Sequence, residues 1–212
     1  MSFNLDIKKQ YMAVDEKSKR SKGAEFYAVY MMTSGTLKTA NRDLAIRITH
    51  LCQRAGGVPE QLSYRNGARP QYTVKTRWSG LFHLEDEGAA TAFLRGCFLI
   101  GGYVTDPSKP AHLEIAFKEE VCYELCMAAF ELAGIFVKGT LRENRYVLYI
   151  KDSDEVMAFL VKTGAVRGAL EYENARIMKQ CNKASNRVMN CDDANINKAI
   201  EAGFRQKSML EK

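Results

Sequence analysis

The stretch Phe93-Leu94-Arg95-Gly96-Cys97-Phe98-Leu99-Ile100-Gly101-Gly102 decides how the chain is read. It belongs to an apolar run, Ala92 to Ile100, too short to cross a membrane and long enough for a buried helix. Ala92 and Gly96 stand one helical turn apart, and the paired glycines end the helix. An earlier run, Gly23 to Met32 (GAEFYAVYMM), has the same character: Ala24 and Ala28 share its spacing, and it stops at Thr33-Ser34-Gly35. Small residues let two helix backbones approach closely, so the two runs are expected to pack on each other.

The segments after each run repeat the same order of signals. After the first come an extended piece, Thr36 to Thr39, and a helix opened by Asn41 or Asp43 that ends at Gly56-Gly57. Strands Glu60 to Tyr64 and Gln71 to Arg77 follow, joined at Asn66-Gly67. After the second run come Tyr103-Val104-Thr105, the turn Asp106 to Pro110, a strand His112 to Phe117 and a helix Glu119 to Ala133 that stops at Gly134. Strands Ile135 to Arg142 and Arg145 to Lys151, joined at Glu143-Asn144, and a helix Ser153 to Thr163 close the copy. The first copy is shorter, as if it had lost a hairpin strand.

The fold class is therefore α+β: two pseudo-symmetric αββαββα-type halves, residues 1–87 and 88–165, followed by a helical segment, 166–212. A short amphipathic helix is expected over residues 3–16, with Lys17 to Lys22 as a solvated link. In the last segment Asn182, Asn186, Asn190, Asn195 and Asn197 are many for a helix, because asparagine competes for backbone hydrogen bonds. A helix break is expected around Asn190 to Asp193, with Asn186, Arg187, Asn190 and Asn195 in a buried polar network.

Composition narrows the function. The 212 residues carry Lys+Arg 31 against Asp+Glu 25, net charge +6, and are 46 % apolar, which excludes a disordered chain and makes a polyanionic partner plausible. The polar, lysine-rich start has no secretory pattern, so the reading is a cytoplasmic protein with reduced thiols at Cys52, Cys97, Cys122, Cys126, Cys181 and Cys191. Cys122 and Cys126 share a helix face but have no third ligand nearby, which points to core thiols rather than zinc. His50 and Cys52 do not face each other on a helix, and His83 and His112 have no identifiable catalytic partner.

Residues 93–102 resemble the second helix motif of the LAGLIDADG homing endonuclease superfamily, and Tyr27 to Gly35 resembles a drifted first copy. Within it the chain is similar to the WhiA sporulation regulators of Gram-positive bacteria, through Gly102 to Pro107, Leu170 to Lys179 and, most specifically, Asn186 to Asn195 (NRVMNCDDAN). The resemblance implies promoter DNA binding in sporulation, cell division or chromosome segregation, with nucleoid association. It also implies a C-terminal helix-turn-helix domain, which this sequence does not reach. Active members of the superfamily end each paired helix in an acid that holds a divalent metal; here those positions read Ser34 and Gly101, so neither catalysis, nor a metal, nor a cofactor is expected. Asp106 and Asp43, the nearest acids, suit turn and helix-start roles.

Alternation assigns a reading surface. Gln71, Thr73, Lys75 and Arg77 point to one side of their strand, opposite Tyr72 and Val74, and Lys138, Thr140 and Arg142 repeat the split opposite Val137 and Leu141. With Arg145, Lys151 and Arg187 these are the candidate contacts to double-stranded DNA. The alternatives are a scaffold that binds another protein, such as a second transcription regulator, and an active metal-dependent nuclease.

Overall fold

A computed structural model describes residues 2–67, 71–80 and 82–210. The chain divides into two units, residues 1–172 and 173–212. In chain order the elements are α1 (Phe3–Ala13), α2 (Lys19–Thr33), β1 (Thr36–Thr39), α3 (Arg42–Arg54), β2 (Val58–Arg65), β3 (Gln71–Arg77), α4 (Glu87–Gly101), β4 (Gly102–Val104), β5 (Leu113–Phe117), α5 (Glu120–Leu132), β6 (Lys138–Arg142), β7 (Arg145–Ile150), α6 (Ser153–Thr163) and α7 (Val166–Leu210).

At the centre of the first unit α2 lies against α4, and the small residues are what allow it. A Cβ placed on Gly96 would stand 2.5 Å from the Glu25 carbonyl oxygen and 2.8 Å from the Ala28 Cβ. Ala24, Ala28 and Ala92 are fully buried. The rest of α4 is buried almost all round; Phe98 meets Tyr11 edge-on at 5.5 Å and Phe159 at 5.7 Å. Such a helix is apolar on every side because nothing but protein surrounds it.

The α2–α4 contact also encloses charge. Glu25 on α2 is inaccessible to solvent and accepts from Arg47 Nε at 2.8 Å, Arg47 Nη2 at 2.9 Å and Arg95 Nε at 2.9 Å. Arg95 on α4 further donates to the Thr163 carbonyl at 3.0 Å and to Glu16 Oε2 at 3.1 Å, while Arg47 Nη1 donates to the carbonyls of Met12 and Val14. Two carboxylates and two guanidiniums neutralise each other and tie α2, α3 and α4 to the segment before α2. That segment is not the solvated link expected at Lys17 to Lys22: Ser18 caps α2 through the Ser21 N–H, the helix begins at Lys19, and Ser21 is buried.

Each half supplies one antiparallel sheet. The first has three strands in the order β1-β3-β2, the second four in the order β4-β5-β7-β6, so the first copy is one strand short as its length implies. Arg65 pairs with Gln71, so residues 66–70 span the connection and Asn66-Gly67 is not a two-residue hairpin turn; 68–70 lie outside the described residues. Glu143 and Asn144 form such a turn, both with positive φ (46° and 59°), between the paired Arg142 and Arg145. The strand expected from Ile135 starts only at Lys138, because Gly134 turns the chain left-handed and Ile135 drops into the core.

The second unit overturns two expectations. α7 runs from Val166 to Leu210 with no break at Asn190 to Asp193, and Asn186, Arg187, Asn190 and Asn195 are exposed, so no buried polar network forms among them. Exposure removes the need for buried partners, and the Asn195 amide donates to Cys191 Sγ one turn back at 3.8 Å.

Two stability measurements follow. Glu25→Leu is expected to lower the unfolding free energy by about 3–5 kcal/mol in urea titration, because it leaves two buried guanidiniums without their carboxylate. Asn190→Ala is expected to stay within about 0.5 kcal/mol of the parent, as for an exposed site without special contacts; a larger loss would mean that α7 is packed where it is drawn as bare.

Candidate nucleic-acid interface

Pleating and register sort the strand residues into faces. On β3, Gln71, Thr73, Lys75 and Arg77 share one face, while Val74 is buried on the other against Leu37 of β1. Pairing adds Lys38 beside Thr73, and Gln61, Ser63 and Arg65 beside Lys75, Thr73 and Gln71. The outward face of the first sheet thus carries Lys38, Arg65, Lys75 and Arg77. Arg77 Nε reaches Glu60 Oε1 at 3.1 Å, an exposed pair that holds little energy.

The second sheet repeats the arrangement. Lys138, Thr140 and Arg142 of β6 pair with Tyr149, Val147 and Arg145 of β7, so all six point to one side. Lys151 follows in the same alternation, and its Nζ lies 5.4 Å from the Tyr149 ring centroid, with the Arg142 guanidinium at 5.8 Å. His112 stacks on the same ring at 6.4 Å, and its Nε2 is 2.9 Å from Glu114 Oε2. Tyr149 therefore holds two cations over its ring by cation–π contact, which gathers positive charge on this face.

Of the candidates from sequence, the structure brings Gln71, Thr73, Lys75 and Arg77 together on one outward face and Lys138, Thr140, Arg142, Arg145 and Lys151 on the other. Arg187 lies in the second unit, exposed on α7. Sequence reasoning missed Lys38 and Arg65. The Thr-Leu-Lys-Thr alternation of residues 36–39 held the signal for Lys38, whereas Arg65 needed the β2–β3 register.

At the C-terminal ends of α2 and α4 lies a cleft of ≈ 760 Å³, lined by Ser34 and Gly101 with Lys8, Lys38, Lys118 and Arg145 and one acid, Glu119. Burial holds the Lys8 ammonium below the usual lysine range. Ser34 caps α2 in the left-handed conformation (φ 48°). Gly101 has no room for a side chain: its Cβ would stand 2.6 Å from the Ala116 carbonyl oxygen. The helix ends therefore do not fit a carboxylate-held divalent metal. Among the described residues, no three His, Cys, Asp or Glu side chains cluster in a way that could hold one. Asp106 Oδ1 accepts from the backbone and hydroxyl of Ser108, the turn role read for it, and Asp43 sits in the first turn of α3. Cys122 and Cys126 are buried against Cys97, whose thiol burial and the Cys126 thiol push well above the usual range; burial pushes Cys52 and Cys122 up to about 11.

Comparison with known proteins agrees with this geometry. Residues 90–182 match the WhiA LAGLIDADG-like domain. The probable cell division protein WhiA of Desulfitobacterium hafniense is 29 % identical over 250 residues, covering 100 % of this chain and 78 % of that protein. The namesake in Ruminiclostridium cellulolyticum is 37 % identical over 123 residues, 58 % of this chain and 39 % of its own. Full-length DUF199/WhiA from Thermatoga maritima superposes with a TM-score of 0.68 at 20 % identity, over 89 % of this chain and 71 % of that one. The homing endonuclease I-DmoI, solved in complex with DNA and Ca, shares the fold at a TM-score of 0.51 and 15 % identity, over 70 % of this chain and 91 % of that one.

Gly101→Asp is expected to lower stability by roughly 1–3 kcal/mol through overpacking against the β5 backbone, read as a fall in melting temperature. Thiol accessibility gives a second check. Raised pKa values keep the Cys52, Cys97 and Cys122 thiols protonated at pH 8 and burial shields all four core thiols, so iodoacetamide is expected to alkylate Cys181 and Cys191 in the folded protein and to spare Cys52, Cys97, Cys122 and Cys126. Mass spectrometry of the intact protein counts the adducts, and modification of Cys97 or Cys126 under these conditions would contradict the packing of α4 on α5.

Proposed function

We propose that this chain, which carries a WhiA-type LAGLIDADG-like domain and is related to WhiA proteins over its whole length, is a non-catalytic regulator that binds double-stranded DNA. The observation that carries the reading is the pair of outward sheet faces, with Lys38, Arg65, Lys75 and Arg77 on one and Lys138, Arg142, Arg145 and Lys151 on the other. Two related faces on which lysine and arginine outnumber the acids supply the sequence-independent phosphate attraction on which DNA affinity rests. The relatives' name supports a role in cell division, and the resemblance adds sporulation or chromosome segregation. A regulator working on the chromosome would sit in the cytoplasm at the nucleoid; no described helix is long and apolar enough to cross a membrane.

The absence of catalysis is argued from Ser34 and Gly101, neither of which offers a carboxylate where the superfamily places its metal. The faces then hold and orient DNA without cutting it. Phosphate contacts come from the lysines and arginines, and the half-buried Gln71, Thr73 and Thr140 offer hydrogen bonds to sugar or base edges.

Titration of promoter duplexes by fluorescence anisotropy across salt tests this. Affinity is expected to fall steeply between 50 and 200 mM salt by counterion release. Lys75→Glu and Lys138→Glu should each weaken binding about tenfold or more, each flattening the salt slope by about one, with the melting temperature unchanged. Supercoiled plasmid incubated with magnesium or manganese should stay uncut. Salt-independent binding, or binding indifferent to both reversals, would remove the sheet faces from the interface and favour a protein-binding scaffold.

A further inference from the structure

The two halves differ at one edge. In the second sheet β4 covers the outer side of β5, Gly102 pairing with Ile115 and Val104 with Leu113, and the far side of β4 is itself closed where the Val104 N–H donates to Asn4 Oδ1 of α1 at 3.1 Å. In the first sheet β1 pairs directly with β3, and among the described residues no strand lies outside it. The register Leu37↔Val74, with the Thr76 N–H donating to the Gly35 carbonyl at 2.9 Å, sets the alternation: Leu37 bonds inward to β3, while the N–H and C=O of Lys38 point to the free edge. Alignment with the Desulfitobacterium protein runs over 250 positions for all of this chain, whose length is 212 residues, so the relative has residues that this chain lacks.

Edge strands are ordinarily blunted by being short and charged, and β1 with Lys38 is both. What sets this edge apart is the hollow at its end. A cavity of ≈ 360 Å³ opens at the end of β1, where Ala40 and Asn41 line it; its apolar wall is made of Leu5, Met12, Leu44 and Leu99, with Lys8 and Lys9 at its border, while the larger cleft that β1 itself lines holds one acid, Glu119. Leu5 is 53 % exposed although it lies on a helix whose Phe3, Ile7 and Tyr11 are buried. An open strand edge, an apolar trough at its end and a lysine border describe the seat of an absent strand, and β4 in the other half shows what kind of element fills such a seat.

We infer that the free edge of β1 is a docking site for an extended peptide of a partner protein, which adds as a fourth strand to the first sheet. Its chemistry follows from the pleat. Side chains on the Leu37 side enter the trough and are apolar, with Lys8 and Lys9 at its rim; those on the other side meet Lys38 and are acidic. An alternating apolar and acidic segment of four to six residues fits the four-residue strand β1. The site shares Lys38 with the outward face of the first sheet and otherwise uses the backbone of β1 and the trough rather than the cationic residues of β3 and β6.

The test uses the full chain and a synthetic probe, an acetylated and amidated (Glu-Val)4 peptide carrying a fluorophore, with (Lys-Val)4 as its charge control. The acidic probe is expected to bind at micromolar concentration and the basic one at least tenfold more weakly. Two N-methylated probes, blocked on every Glu or on every Val, should differ by at least tenfold, because only one set of N–H groups faces β1. Lys38→Pro removes the outward N–H without touching the ladder to β3, and should weaken binding at least tenfold at an unchanged melting temperature. No binding of the acidic probe at millimolar concentration, equal binding of the two N-methylated probes, or equal binding by a folded Lys38→Pro variant would each overturn the inference. So would protection of the Lys38 amide from hydrogen exchange by a DNA duplex and not by the peptide, which would make the edge a phosphate contact.

Discussion

Everything in the first unit hangs on how closely α2 and α4 approach. Gly96 has no side chain because the Glu25 carbonyl already fills the space where a Cβ would go. At that spacing the Glu25 side chain has no route to water, and a buried carboxylate without partners would cost several kcal/mol. Arg95, one residue before the contact glycine, and Arg47 from α3 supply the partners, and each spends its remaining donors on carbonyls at Thr163, Met12 and Val14. The contact therefore selects the charges around it, and those charges fix where α3 and the start of α2 lie.

The same approach governs the ends of the two helices. α4 runs straight into β4, and at Gly101 the chain lies so near β5 that the Ala116 carbonyl excludes a Cβ. An acid at this point would need the β5 backbone to retreat as well as a changed codon. At the other helix Ser34 occupies a left-handed cap, a conformation that non-glycine residues adopt at some cost. Packing and chemistry are coupled here, and the geometry that serves as a plain helix–strand junction does not serve as a metal clamp.

Features governed by local rules were legible in the sequence. The two apolar helices, the Asn41 cap whose side-chain carbonyl accepts from the Leu44 N–H, the Glu143-Asn144 turn, and the β3 and α6 boundaries all follow from spacing, capping and turn chemistry. The shortened first sheet was legible too, as a difference in length between copies. What was not legible depends on partners distant in sequence. Glu25 reads as one polar residue in an apolar run until Arg47 and Arg95 meet it, and Arg65 reads as a loop charge until Gln71 pairs with it. The asparagines of α7 were misread for the converse reason: their number implies partners only if they are buried, and burial is a tertiary property that composition does not carry.

The distribution of charge sharpens the functional argument. A face that is merely wet has no reason to exclude one sign, and mixed charges would lower its self-repulsion. The outward faces of the two sheets instead gather lysine and arginine in excess of two carboxylates, Glu60 paired to Arg77 and Glu114 opposite Tyr149, where it meets His112 at 2.9 Å and Arg142 at 4.0 Å. Repulsion among like charges 5–10 Å apart is weak in water but adds up across a face, and a polyanion relieves it by displacing counterions. Tyr149 belongs to the same logic: Lys151 and Arg142 lie over its ring, so the cations of the second sheet are gathered by an aromatic face that attracts them. Among the described residues the outward face of the first sheet has no such ring, so its cations are held there by strand alternation and register alone.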